Sequence, residues 1–548
     1  MGFVTAIALA ALIFGVSSLA LAHDAPAGAT SASAAALDAG LGPLHHPVST
    51  HNVEAQAFFD QGMKLVFAFN HEAAIKSFQR AAEIDPDLAM AHWGIALALG
   101  PNINMPMDAN AHRTAYEAVQ KAVALEPKAS PAERAYIDAL ARRYSANAEA
   151  EQAPLQVVYK NAMRDLVRRY PKDTDAAVLY AESLMDLRPW KLWTPDGKPA
   201  EGTLEIVATL ERAQAQQPDH IGALHYYIHA VEASQHPERA LAAAKRLETL
   251  APSAGHLVHM PAHIYIRTGN YLEAVRVNEA AVRADETLAK SAEEGFYLIG
   301  YYGHNLHFLA VCNALAGNSK AAIAAANKLY AHAEPRVKAV PPLDGFMLTP
   351  ALVLVQFGRW DDVLALPEPP FEALLTEVIR HFARTLAFTA KNQLADAEIE
   401  RGRFVEAADS LPKTLEFGNN TSAGLLAVAR PYLDGRIALM RGDAPSAIES
   451  LREAVVAEDA LAYDEPPTWY LPSRQALGAA LLRSGDASGA EKAYRENLRR
   501  NPESGRTLFG LRSALAAQGR SHQAADVQKR FERAWRAADV TLDASSSL

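Results

Sequence analysis

The chain has 548 residues, 50% of them hydrophobic and 21% charged, with a formal net charge of -10 at pH 7. That composition belongs to a soluble globular chain long enough for a large core or an extended repeat array, and it carries no basic footprint for nucleic acid. The single cysteine, Cys312, excludes an intramolecular disulfide framework and a thiolate metal cluster, so any metal must be held by His, Asp or Glu.

Residues 2–22 are apolar and close on Ala20-Leu21-Ala22, the small-x-small pattern of a secretory cleavage site. Cleaved as a signal peptide (1–22), the segment leaves a mature chain that starts at His23 in the periplasm or outside the cell, away from the membrane. Retained, it approaches the length of a membrane anchor. Residues 23–43 are rich in Ala, Ser and Gly and read as a flexible tether. His46 and His51 precede the first helical pattern and read as surface residues.

From about residue 44 a helical grammar begins. One segment carries Gly62, Ala74, Phe78, Ala81 and Pro86, and the same spacing returns at Ala115, Ala122 and Pro127 and at Gly269, Tyr271, Ala274 and Ala281. Towards the C-terminus it recurs at Gly435, Gly442, Ala447 and Ala454, at Gly478, Gly485, Ala490 and Pro502, and at Gly519 and Ala524. This pattern resembles the tetratricopeptide repeat (TPR), a helix pair of about 34 residues with small residues at the helix crossings. The resemblance covers about 44–540 and weakens around 131–220 and 330–425. It implies an all-α chain, a right-handed superhelical solenoid of TPR-like helix-turn-helix repeats, with the first helix of each pair lining a concave groove. We divide it into an N-terminal array (44–330) that carries a His-rich concave site, a C-terminal array (331–540) and a tail (541–548). The fold by itself names no function, because it is a scaffold put to many uses.

Long loops interrupt the repeats. Residues 100–110 and 188–202 stretch two turns, the second with Trp190 and Trp193; an insertion near 285–300 shifts the next helix; 462–472 delays another repeat. Such insertions gather on one face of a solenoid, often the binding face, or are tolerated surface loops. The segment 463–474, with Asp464, Glu465, Trp469 and Arg474, reads either as a lid or as a rigid Pro-Pro turn. His71, beside Asn70, sits at a turn and suits a cap.

Nine of the 19 histidines fall between His220 and His307. His225 and His259 are 34 residues apart, and so are His229 and His263, which places them at equivalent positions of consecutive repeats. The repeat grammar turns Leu224, Tyr227, Ile228 and Val231 towards neighbouring helices. It leaves His225 and His229 on the groove stripe, His256, His259 and His263 on that of the next repeat, and His304 and His307 on that of a third. His220 and His236 fall at turns and are left out. Pro261 lies within this pattern and is expected to kink its helix. Glu182 and Asp186, one turn apart on the preceding helix, are expected to face the same groove as metal ligands, as partners of a ligating imidazole, or as a catalytic base.

Seven imidazoles on three helices suit a transition metal, singly or as a two- or three-ion cluster. A nitrogen-rich set favours copper over zinc, and either over iron, whose paired Glu-x-x-His signature is missing. No Walker loop, dinucleotide loop, HExxH, CxxC or serine elbow is present. The sequence therefore supports a copper-dependent oxidoreductase acting on a small molecule in the groove. Two alternatives remain: a metal-storage or sensing protein, and a metal-free envelope scaffold that binds a protein or peptide.

Overall fold

The computed structural model describes residues 36–543. The signal-like segment, most of the tether and the last five residues lie outside them. The described residues are all-α except for one antiparallel pair of two-residue strands, Glu416–Phe417 with Asn420–Thr421. Successive helices pack as hairpins, among them Val53–Phe67 with His71–Ile84, Thr174–Met185 with Thr203–Gln216, Ser422–Met440 with Ala444–Asp459, and Ser473–Arg483 with Ala487–Arg500. This is a TPR-like arrangement. Among the described residues no helix is long and apolar enough to cross a membrane.

The sequence pattern explains the hairpins. Gly485 closes the turn of one with φ +88°, where a side chain would clash with the backbone. Tyr494 then inserts its ring between Gly478 and Gly510; a Cβ at either glycine would lie 2.6 or 2.4 Å from that ring. Gly62 and Gly94 frame Phe78 in the same way at the other end of the chain. The helix crossings thus need a large residue facing two glycines.

The chain forms two compact units. One comprises the described part of Met1–Val258 with Lys290–Tyr297; the other comprises His259–Ala289 with the described part of Leu298–Leu548. The division falls between Val258 and His259, inside the histidine-rich stretch. Residues 36–43 differ from a free tether. Leu41 is buried, Gln61 binds the Ala36 carbonyl and the Asp38 amide, and the Gly40 carbonyl accepts from Ser253.

Candidate metal centres

In the first unit, His225 and His229 lie one turn apart on the helix Ile221–Glu232, all twelve residues of which are buried. His256 comes from the short helix Gly255–His259. The three offer ligand nitrogens that lie within 4.8 Å of one another. Their orientations are fixed from behind. His225 Nδ1 stands 2.7 Å from the Phe67 carbonyl. A carbonyl only accepts, so Nδ1 carries the proton and, in the neutral ring, Nε2 turns its lone pair inward, 3.1 Å from His256 Nε2. His229 Nδ1 is likewise 2.7 Å from Glu232 Oε1. This backing by a carbonyl or carboxylate is the arrangement that aims an imidazole at a metal.

Phe69 covers the group, its ring centroid 4.6, 6.0 and 5.3 Å from those of His225, His229 and His256. Its backbone is left-handed, φ +58°, a conformation that costs a non-glycine residue about 1–2 kcal/mol. The surrounding packing supports that strain and sets the phenyl ring among the imidazoles.

In the second unit the same construction appears with His259, His263 and His304, again with ligand nitrogens within 4.8 Å. Asn278 Nδ2 donates to the Ala274 carbonyl at 2.8 Å, so its Oδ1 accepts from His259 Nδ1 at 2.6 Å. His259 Nε2 then faces His263 Nε2 at 2.9 Å. Phe308 takes the place of Phe69, with centroid distances of 4.6, 4.7 and 5.1 Å to the three rings. The helix is interrupted at Met260, and Pro261 begins the segment Pro261–Arg267 at its N-terminal position, where the missing amide is tolerated. One π-helical stretch, Tyr297–Tyr301, precedes the helix Tyr302–Ala316 and sets the phase of His304.

Six of the seven candidate histidines therefore group as two triads, each within one unit. All six are buried, at most 7% exposed, where groove residues were expected. The repeat explains the membership. Each triad takes a pair spaced i,i+4 from one repeat and a single histidine from the next. His256 precedes His259 by three residues, as His304 precedes His307, so His256 and His304 play the same part. His307 would open a third triad, but Val311 stands where its partner would be. It is buried against Phe346 and Tyr470, its Nε2 has no hydrogen-bond partner, and burial pulls its pKa down to about 3.

Glu182 and Asp186 join neither triad. They lie on and just after the helix Thr174–Met185 with their carboxyl groups buried beside Arg143, whose Nη2 is 2.6 Å from Asp186 Oδ2. Burial pushes both carboxyls up, Glu182 further by the charge of Asp186, while Arg143 opposes the rise. The three groups can share one positive and one negative charge: Asp186 ionised against Arg143, and Glu182 carrying a proton.

Two residues read as peripheral prove buried. His46 Nδ1 and His220 Nε2 bind opposite oxygens of Asp175, at 2.7 and 2.9 Å. Burial alone would raise the pKa of Asp175, but the bonds from His220 and His46 outweigh it and hold the carboxyl well below the usual range. His220 also caps the helix Ile221–Glu232 by accepting from the Ala223 amide. His46, Asp173 and Asp175 bring ligand atoms within 4.8 Å, yet both Asp175 oxygens are already engaged, so this group is an internal clamp. No spacing rule links residue 46 to residue 175. His71 likewise starts a helix capped by the Asn70 side chain and does not itself cap.

Two of the long loops meet at the first triad. Ile103 from 100–110 and Trp190 and Leu192 from 188–202 line a pocket of about 310 Å³ with Met185, His229 and Glu232. The Trp190 ring lies edge-on to His229 at 5.6 Å, and Trp193 Nε1 donates to the Ala230 carbonyl. The loop 462–472 is packed in place rather than poised as a lid: Trp469 is 3% exposed and its ring meets Phe382 and Tyr432.

No protein-family model matches the chain, and no curated protein does. Among solved structures it is similar to the human IFIT1 dimer with PPP-AAAA, at 13% identity over 90% of this chain and 92% of that one, with a TM-score of 0.33. It is also similar to yeast Tom70, at 11% identity over 88% and 93%, with a TM-score of 0.28. Likeness at this level adds nothing to the helix pairing described above.

Proposed function

We propose that this chain is a TPR-like metalloprotein that binds one transition-metal ion in each histidine triad, copper in preference to zinc or iron. The observation that carries the proposal is the pairing of inward-facing Nε2 atoms at 3.1 and 2.9 Å, with one member of each pair, His225 and His259, anchored outside through its Nδ1. A tetrahedral ion with Zn–N-like bonds of about 2.0–2.1 Å places its donors about 3.3 Å apart. The buried rings need to open by a few tenths of an ångström to accept it. Three neutral imidazoles suit copper and zinc, whereas magnesium and calcium want oxygen.

Three protein ligands leave a further position on the ion, the mark of a reactive rather than a structural site. Copper there supplies one-electron chemistry, and the pocket beside His229 offers a path for a small, largely apolar substrate. The function we infer is therefore oxidoreduction of a small molecule, with storage or sensing of the metal as the simpler use of the same ligands. The export signal suggested by residues 2–22 fits a copper protein outside the cytoplasm.

The test is elemental analysis of the full chain after growth with copper and zinc supplied. Two ions per chain are expected. Changing His225 and His229 to Ala should remove one, changing His259 and His263 to Ala the other, and His307→Ala neither. Substoichiometric metal in the unaltered protein would favour a metal-free scaffold, and two ions retained in the fourfold variant would move the sites elsewhere.

A further inference from the structure

The second unit contains a pocket unrelated to either triad. It opens about 570 Å³ among the helix ends around Gln356, Arg436, Gln475 and Arg506, and the packed loop 462–472 supplies Tyr470, Leu471 and Pro472 to its wall. Its lining contains two arginines and no carboxylate.

Both arginines are prepared. Arg436, on the helix Ser422–Met440, is 7% exposed and makes no hydrogen bond or ion pair with the described residues. A guanidinium so buried usually lies against a carboxylate. Other buried arginines of this chain do so: Arg143 binds Asp186, and Arg474 grips Asp459 with two bonds of 2.6 and 2.5 Å. Arg506, at the start of the helix Gly505–Ala517, has its guanidinium over the rings of Phe357 and Trp535, at 5.4 and 5.8 Å. Burial pulls its pKa down to about 10, against the opposing effect of Tyr432, so it stays charged at neutral pH. Tyr494 is fixed between Gly478 and Gly510, and its buried hydroxyl lacks a hydrogen-bond partner. Trp360, Tyr432 and Tyr470 give the remaining wall flat apolar faces.

We propose that this pocket binds a small aromatic acid, its anionic oxyacid group on Arg436 with Arg506 and the Tyr494 hydroxyl alongside, and its ring against Trp360, Tyr432 and Tyr470. A guanidinium receives a carboxylate or a phosphate through paired charge-assisted bonds, and the anion supplies the counter-charge that Arg436 lacks among the described residues. The site stands independently of the metal reading.

Calorimetric titration of the full chain with benzoate, phenyl phosphate and neutral benzamide tests it. At least one anion should saturate at millimolar concentration or below, and its identity separates carboxylate from phosphate recognition. Benzamide should bind about tenfold more weakly or worse, as should the anion to Arg436→Gln. Tyr494→Phe keeps the ring between its glycines and should weaken the anion several-fold with unchanged metal content. If Arg436→Gln fails to fold, the benzamide comparison and Tyr494→Phe decide. Equal binding of benzamide and benzoate, undiminished binding to folded Arg436→Gln, or no saturation by either anion at millimolar concentration overturns the proposal.

Discussion

Arg143 is fully buried, so the residues around it are judged by charge. Asp186 supplies its counter-charge at 2.6 Å, whereas Glu182 is buried beside the same pair. Removing the Asp186 charge leaves a buried cation, and Asp186→Asn should cost about 3–5 kcal/mol by urea denaturation. Glu182→Gln mimics the protonated acid, so it should be nearly neutral at about pH 4 and increasingly stabilising relative to the native protein as pH rises above it. The pH dependence separates them further. A carboxyl whose folded pKa is raised holds its proton in the native state after the unfolded chain has lost it. Its contribution is therefore full below the unfolded pKa of about 4.3 and declines as pH rises towards the folded value. Native Glu182 should make the protein less stable between about pH 4 and 8 as pH rises, and Glu182→Gln should flatten that slope. An unchanged slope would place the proton elsewhere. Neither carboxylate was legible as buried, because the one-turn spacing that marks a shared face does not say what the face meets.

At the scale of the element, the loop 188–202 does more than join two helices. Trp193 is tied to the Ala230 carbonyl and Trp190 stands edge-on to His229, so the loop closes the pocket beside the first triad. Trp190→Ala should leave the helix content intact but speed the loss of metal to a chelator from one site of the two. Stopped-flow chelation would show one fast and one slow phase; two unchanged phases would mean that the loop gates nothing. The loop's length and two tryptophans marked it in the sequence as worth attention. Its target was not marked, since Trp190 and His229 are brought together by packing and not by the repeat.

Across the whole chain, metal and fold should separate. Each helix hairpin buries its apolar face against its neighbours, as Tyr494 does between its glycines, and needs no ion to do so. Chelated protein should therefore keep its far-ultraviolet helical signal while melting at lower temperature, because an ion bound only by the native state stabilises it by mass action. Each triad lies in one unit, so removal of either pair of histidines should lower the melting temperature without abolishing the remaining metal. Collapse of the helical signal on chelation would instead make the ions structural.

The all-α repeat, the hairpin turns and the pairing of His225 with His229 and of His259 with His263 were written in local spacing, because helix geometry and the 34-residue period fix which residues share a face. The register also carried the third member of each triad, since His256 and His304 stand three residues ahead of the next repeat's leading histidine. Burial, the anchoring of the His225 and His259 Nδ1 atoms, the clamp of His46 on Asp175 and the uncompensated Arg436 depend on residues far apart in the chain. Only tertiary packing decides those, because periodicity specifies a direction along a helix but not the groups that arrive to meet it.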